Sequence, residues 1–178
     1  MSPDDVIRFW FNELGAQHWW RKDAGLDAQI RARFESTHAA AARGELFGWR
    51  ATAEGRLAEI IVLDQFSRNM YRDTPRAFAC DTVALVLAEE AIARGADLEL
   101  PLPQRIFMYM PYMHSESPLI HERAVELFAQ PGLEGSLKYE LGHKRIIDRF
   151  GRFPHRNVAL GRPYTTAEVE FLKEAEVF

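Results

Sequence analysis

Segment after segment of this chain repeats apolar residues at spacings of three and four, and most of these segments are closed by glycine or proline. Leu26, Ile30, Phe34, His38 and Ala41 recur in this way after Asp23 or Asp27, and Gly44 follows as the stop. Leu57, Ile60, Ile61, Leu63 and Phe66 mark a helix with a broad apolar face. No stretch shows the period-two alternation of a half-buried strand. A chain written like this folds as packed helices on short connections.

The remaining segments fit the same scheme. Ser2-Pro3-Asp4-Asp5 has the serine cap, early proline and first-turn acids of a helix start, and that helix is expected to run to about Leu14 and end at Gly15. Thr74-Pro75 caps a helix expected to run through Phe78, Val83, Leu87 and Ile92 to Gly95. Beyond the Leu100-Pro103 connection, Ile106, Phe107, Tyr109, Met110 and Met113 predict a short buried helix interrupted near Pro111. Ser117-Pro118 starts another, through Ile120, Ala124, Val125, Leu127 and Phe128, which stops at Pro131-Gly132. The next is expected from about Ser136 to Arg152, and the last begins at Thr165 or Thr166 with Glu168 in its first turn. The expectation is an all-α antiparallel array of about seven to eight helices. With 178 residues, 47% of them hydrophobic, and no linker or low-complexity stretch, residues 1–178 are expected to form one domain. The single cysteine, Cys80, excludes an internal disulfide, and no basic patch joined to an apolar run opens the chain, so a cytoplasmic location is expected.

The net charge of −4 argues against non-specific nucleic-acid binding, and no membrane partner is expected either. Its distribution is uneven: residues 1–142 carry −6, whereas residues 143–162 carry +5. Within that basic run, Arg145, Arg149 and Arg152 share a face if the helix continues, and Gly151 and Pro154 then turn the chain so that His155, Arg156 and Asn157 project from a loop. Two readings stand side by side. The arginines either pair with the acids carried elsewhere and brace the fold, or Arg149, Arg152 and Arg156 bind a phosphate or carboxylate while His155 or His143 exchanges protons.

Two further groups are candidates. His114-Ser115-Glu116 lies at a helix junction, where His114 and Glu116 suit an acid/base or orienting pair, although Ser115, Glu116 and Ser117 also suit capping. Asp64 and Arg68 are spaced i, i+4 after a run of apolar residues, which makes them either an internal ion pair or part of an anion site. No spacing matches a zinc motif, Pro118 breaks the alignment of His114 with His121, and no phosphate loop, dinucleotide fingerprint or serine elbow occurs, so neither metal nor cofactor is expected. The tryptophans serve packing, with Trp19-Trp20 the pair to watch as an exposed patch.

The runs Leu63-Asp64-Gln65-Phe66-Ser67-Arg68-Asn69-Met70-Tyr71-Arg72, Met110-Pro111-Tyr112-Met113-His114-Ser115-Glu116 and Phe150-Gly151-Arg152-Phe153-Pro154-His155-Arg156-Asn157 resemble the family catalogued as domain of unknown function 924, as does Thr74-Pro75-Arg76-Ala77-Phe78. The likeness extends from Phe9-Trp10-Phe11 to Thr165-Thr166, with Ser67 standing where the family pattern has proline. It implies a tetratricopeptide-like superhelix, although no repeat with that consensus is visible, and it implies no activity. Two functions are therefore expected to compete. In one, a pocket of His114, Glu116 and His155 as catalytic groups, with Asp64, Arg68, His143, Arg149, Arg152, Arg156 and Asn157 binding, takes a small anion for hydrolysis or transfer. In the other, a helical scaffold binds a peptide segment and the polar cluster is structural.

Overall fold

A computed structural model describes residues 1–174, and every regular element among them is helical. The chain divides into two compact units, one of residues 1–72 and 76–111, the other of 73–75 and 112–178.

The first unit opens with α1 (Pro3–Ile7). Ser2 and Asp5 form a reciprocal cap there: Asp5 N donates to Ser2 Oγ at 3.2 Å and Ser2 N donates to Asp5 Oδ2 at 2.9 Å. The helix continues through a wide, π-type stretch from Arg8 to Glu13 that buries Phe9 and Trp10. It ends on the extended backbone of Leu14, and Gly15, with φ −73°, is not the left-handed stop that the sequence suggests. Helix α2 (Ala24–Ala42), capped by Asp23, buries the five residues expected from its spacing, and Gly44 follows at φ +73°.

Helix α3 (Ala53–Ile61), a second wide stretch over Val62–Phe66 and α4 (Ser67–Met70) run on from one another. Leu57, Ile60, Ile61, Val62, Leu63 and Phe66 are fully buried, which makes this the spine of the unit. The extra residue per turn in the wide stretch rotates the chain enough that Asp64 and Gln65 are drawn inside as well.

Two further expectations fail. Thr74-Pro75 opens only a short turn, Pro75–Ala77, and the helix proper, α5, spans Asp81–Ala93. Its buried stripe is Ala84, Ala88 and Ala91, whereas Val83 is 44% exposed; α5 packs on α3, and small side chains on a buried face let two helices approach closely. Helix α6 (Leu102–Met113) passes through Pro111 without a break. The proline sits in the last turn, where it costs the helix the bond to the Phe107 carbonyl without ending it, and Phe107, Met108, Tyr109 and Met110 are all buried along the same helix. Phe107 joins Trp10 and Trp19 in an edge-on aromatic group, with centroids 5.6 and 4.9 Å away.

The second unit holds α7 (Pro118–Phe128), α8 (Glu134–Phe150) and α9 (Thr166–Glu174). Ser117 occupies the cap position of α7 with Pro118 in its first turn, but its side chain makes no capping bond. Ile146, Ile147 and Phe153 form the core here, with Phe150 and Phe171 against them. Thr165 and Glu168 cap α9 reciprocally, at 2.7 and 3.2 Å. No helix among the described residues is long and apolar enough to cross a membrane.

Candidate functional site

The second unit brings distant parts of the sequence to one aromatic ring, that of Phe153, which is fully buried. His143 of α8 meets it edge-on at 5.6 Å, His155 lies at 5.6 Å, His121 of α7 at 6.2 Å, and the Arg156 guanidinium sits 4.5 Å above its centroid. Gly151 makes this convergence possible. With φ +66° it ends α8 in the left-handed region and sends Arg152 and Phe153 off the helix axis.

That turn also corrects the expected arginine stripe. Arg152 lies beyond the helix and grips Glu168 at 2.6 and 2.8 Å, with a third bond of 2.9 Å to the Pro163 carbonyl. Arg149 lies 4.7 Å from the Phe150 centroid and 5.8 Å from that of Phe171, and Arg145 donates to the Leu141 carbonyl. Nor do all three loop residues project: His155 is exposed, whereas Arg156 and Asn157 are buried.

The turn 114–117 is held from three sides. Arg156 Nη2 donates to the His114 carbonyl at 3.0 Å, and His121 Nε2 to the Ser115 carbonyl at 2.9 Å. Glu116 accepts the Phe153 N–H at 2.7 Å and both terminal nitrogens of Arg162 at 2.6 and 3.0 Å. Arg162 Nε in turn donates to Asn157 Oδ1 at 2.9 Å, which fixes the orientation of that amide. Glu116 therefore orients Arg162 and the Phe153 backbone.

Charge follows from these contacts. Burial works to raise the Glu116 carboxyl, but the Arg162 fork, the Phe153 N–H and Arg156 outweigh it and hold the group below its ordinary range. His143 is pushed down to about 4, by burial first and then by His114, His121 and His155 nearby, against the favourable bond to Tyr139. Its Nδ1 donates to the Tyr139 carbonyl at 2.9 Å, so Nε2 is the basic nitrogen of a neutral ring. Glu168 is lowered to about 2, chiefly by the Arg152 fork and then by Thr165.

Both depressed groups make the fold acid-sensitive, in different windows. His143 takes up its proton more readily in the unfolded chain, so stability is lost as pH falls from 6.5 toward about 4. Glu168 acts likewise from 4.5 down to about 2. Urea midpoints measured against pH should flatten in the first window for His143→Gln and in the second for Glu168→Gln. Slopes identical to the parent protein in both variants would refute this assignment.

Asp64 and Arg68 belong to the first unit and meet each other there. Arg68 Nη1 donates to the Asp64 carbonyl and Oδ1 at 2.9 and 3.0 Å, and the same guanidinium grips both oxygens of Asp81 at 2.9 Å. Asn69 and Arg72 bind Asp27 of α2 at 2.7–2.8 Å. Ser67 Oγ donates to the Leu63 carbonyl at 2.5 Å, so His38 Nε2 must donate to Ser67 at 2.7 Å, the reverse of what a nucleophilic serine needs.

Among the described residues no group of three His, Cys, Asp or Glu side chains is arranged to hold a metal ion. A shallow concavity of about 500 Å³ runs along α8, lined by Glu134, Leu137, Lys138, Leu141, Lys144, Arg145 and Asp148, none of them from the histidine group.

A family model for bacterial proteins of unknown function, DUF924, matches residues 6–176. The chain belongs to the DUF924 family. A solved structure of a protein of unknown function, ATU0120 from Agrobacterium tumefaciens, is 40% identical over 97% of both chains, with a TM-score of 0.92. No curated protein matches.

Of the sequence candidates, His114, Glu116, His143, His155, Arg156 and Asn157 lie together in the second unit, joined there by Arg162, His121 and Glu140, to which the sequence assigned no role. The signal for the last two was present. His121 shares the α7 stripe with Ala124 and Phe128, and Glu140 lies two turns before Ile147 on α8. A polar residue on an apolar stripe needs a buried partner, and each of these is the other's.

Proposed function

We propose that the second unit binds a small anionic ligand, a phosphate or a carboxylate, beside the histidine group, and that His114 or His155 moves a proton on it in a hydrolysis or group transfer. The observation that carries this reading is the gathering of His121, His143, His155 and Arg156 around the Phe153 ring, where burial first and the neighbouring histidines second hold the proton affinity of His143 down. Imidazoles so gathered repel each other's protons, and a bound anion reverses the sign of that field. His143 then gains a proton as the anion arrives. Arg156 supplies a fixed positive charge from within, and exposed His155 and half-buried His114 are the imidazoles placed to exchange a proton with a ligand. Glu116 and Arg162 keep the turn in place, and Asn157 holds Arg162.

Asp64, Arg68, Arg149 and Arg152 fall outside this reading, because their polar or cationic groups are engaged with Asp81, the aromatic rings and Glu168. A second reading has its own support. Trp20 is 61% exposed and stacks on Phe107 at 5.7 Å, which suits a scaffold that accepts a peptide segment while the polar cluster serves the fold.

Thermal shift with inorganic phosphate and with acetate tests the first reading. The melting temperature is expected to rise with at least one of the two, more at pH 6 than at pH 8 because binding takes up a proton, and His155→Ala should weaken the response about tenfold in ligand concentration. No shift with either anion at millimolar concentration, or a shift that His155→Ala and Arg156→Gln leave intact, rejects the proposal.

A further inference from the structure

His121 and Glu140 make none of the ligand contacts proposed above, and both are fully buried. His121 Nε2 faces the Ser115 carbonyl oxygen at 2.9 Å, and a carbonyl can only accept, so this nitrogen carries a proton. His121 Nδ1 lies 2.6 Å from Glu140 Oε1. Lone pairs facing each other at that distance in a buried site repel, so a second proton must lie between the two atoms.

Where it resides follows from the other carboxyl oxygen. Glu140 Oε2 is buried and has no hydrogen-bond partner. A carboxylate left so exposed to low dielectric costs far more than a neutral carboxyl. Burial does push the Glu140 carboxyl up, against the opposing pull of His121 and of Lys144 on the same helix, while His143 is the titratable neighbour of His121. The arrangement that satisfies each contact is a neutral acid whose Oε1–H donates to Nδ1 of a neutral, Nε2-protonated ring.

The third bond says what the pair is for. Ser115 stands between His114, whose carbonyl is taken by Arg156, and Glu116, whose carboxylate is taken by Phe153 N–H and Arg162. We infer that protonated Glu140 and His121 form a positioning pair that pins the Ser115 carbonyl and so fixes the backbone from which His114 and Glu116 extend. This rests on the site proposed above, but its test uses no ligand.

In nitrogen-15 spectra of the full chain at neutral pH, the His121 ring is expected as the neutral Nε2–H form. Glu140→Gln should reproduce that spectrum, because an amide N–H replaces the carboxyl O–H. The Ser115 amide, bonded to the Tyr112 carbonyl at 3.2 Å, reports the turn. Its hydrogen exchange should stay within about twofold of the parent in Glu140→Gln and rise about tenfold in Glu140→Leu. An imidazolium at His121 in the parent, or equally fast exchange in the Gln and Leu variants, overturns the inference. If the Leu variant fails to fold, the parent ring spectrum and the Gln variant decide the matter. Failure of phosphate to bind would count against the proposed function and leave these readings standing.

Discussion

Arg68→Ala is expected to cost the fold about 3–5 kcal/mol, the loss typical of removing one partner from a buried ion pair. Asp64 is 1% exposed and its Oδ1 takes its hydrogen bond from Arg68, while Gln65 Nε2 supplies Oδ2 at 2.6 Å. Burial disfavours the charge on Arg68, but Asp64 and Asp81 outweigh it, so the guanidinium is held firmly cationic at the centre of the three. Its loss strands a buried carboxylate and frees α5 from the spine. Arg68→Lys should fall between parent and Ala, since an ammonium cannot reproduce the fork to Asp81. Urea unfolding measures both variants. A loss under 1 kcal/mol for Arg68→Ala, accompanied by a lost response to phosphate or acetate, would instead mark Arg68 as a ligand-binding residue.

Gly55→Ala is expected to destabilise by about 3 kcal/mol, toward the upper end for overpacking. A Cβ on Gly55 would stand 1.9 Å from the Trp49 carbonyl oxygen and 2.9 Å from Thr52 Oγ1. The first obstacle is backbone and cannot swing aside. Thr52 caps α3 through its bond to the Gly55 N–H at 3.1 Å, so relief of the clash displaces the cap as well as the Phe47–Ala51 turn. Helix propensity predicts the opposite sign, a gain of about 1 kcal/mol for alanine over glycine. Urea unfolding separates the two at once, and any stabilisation would refute the close approach.

Helices and most of their caps were legible because both are local: Asp23, Gly44 and the Leu26 to Ala41 stripe act within a few residues of one another. The stripe of α5 was misread because hydrophobicity ranks Val83 above Ala84, whereas contact distance between helices selects the smaller side chain. At the site, the cationic run and the His114 turn were visible as composition. What composition does not contain is pairing across the sequence, such as the 37 residues that separate Glu116 from the Phe153 N–H it accepts. Arg152 looked like an anion ligand for the same reason, since its partner, Glu168, lies beyond the intervening turn.

Of the +5 segment, two charges are met on folding by acids from outside it, Arg152 by Glu168 and Arg162 by Glu116, while Lys144 meets Asp148 within it, which leaves a balance of +3. Such pairs cancel at distances beyond a Debye length of about 8 Å. These two pairs therefore weaken the field around the segment without abolishing it. On the proposed reading, capture of an anion should slow as salt screens that remaining field, and discrimination among anions is exercised after arrival, through how long each one stays.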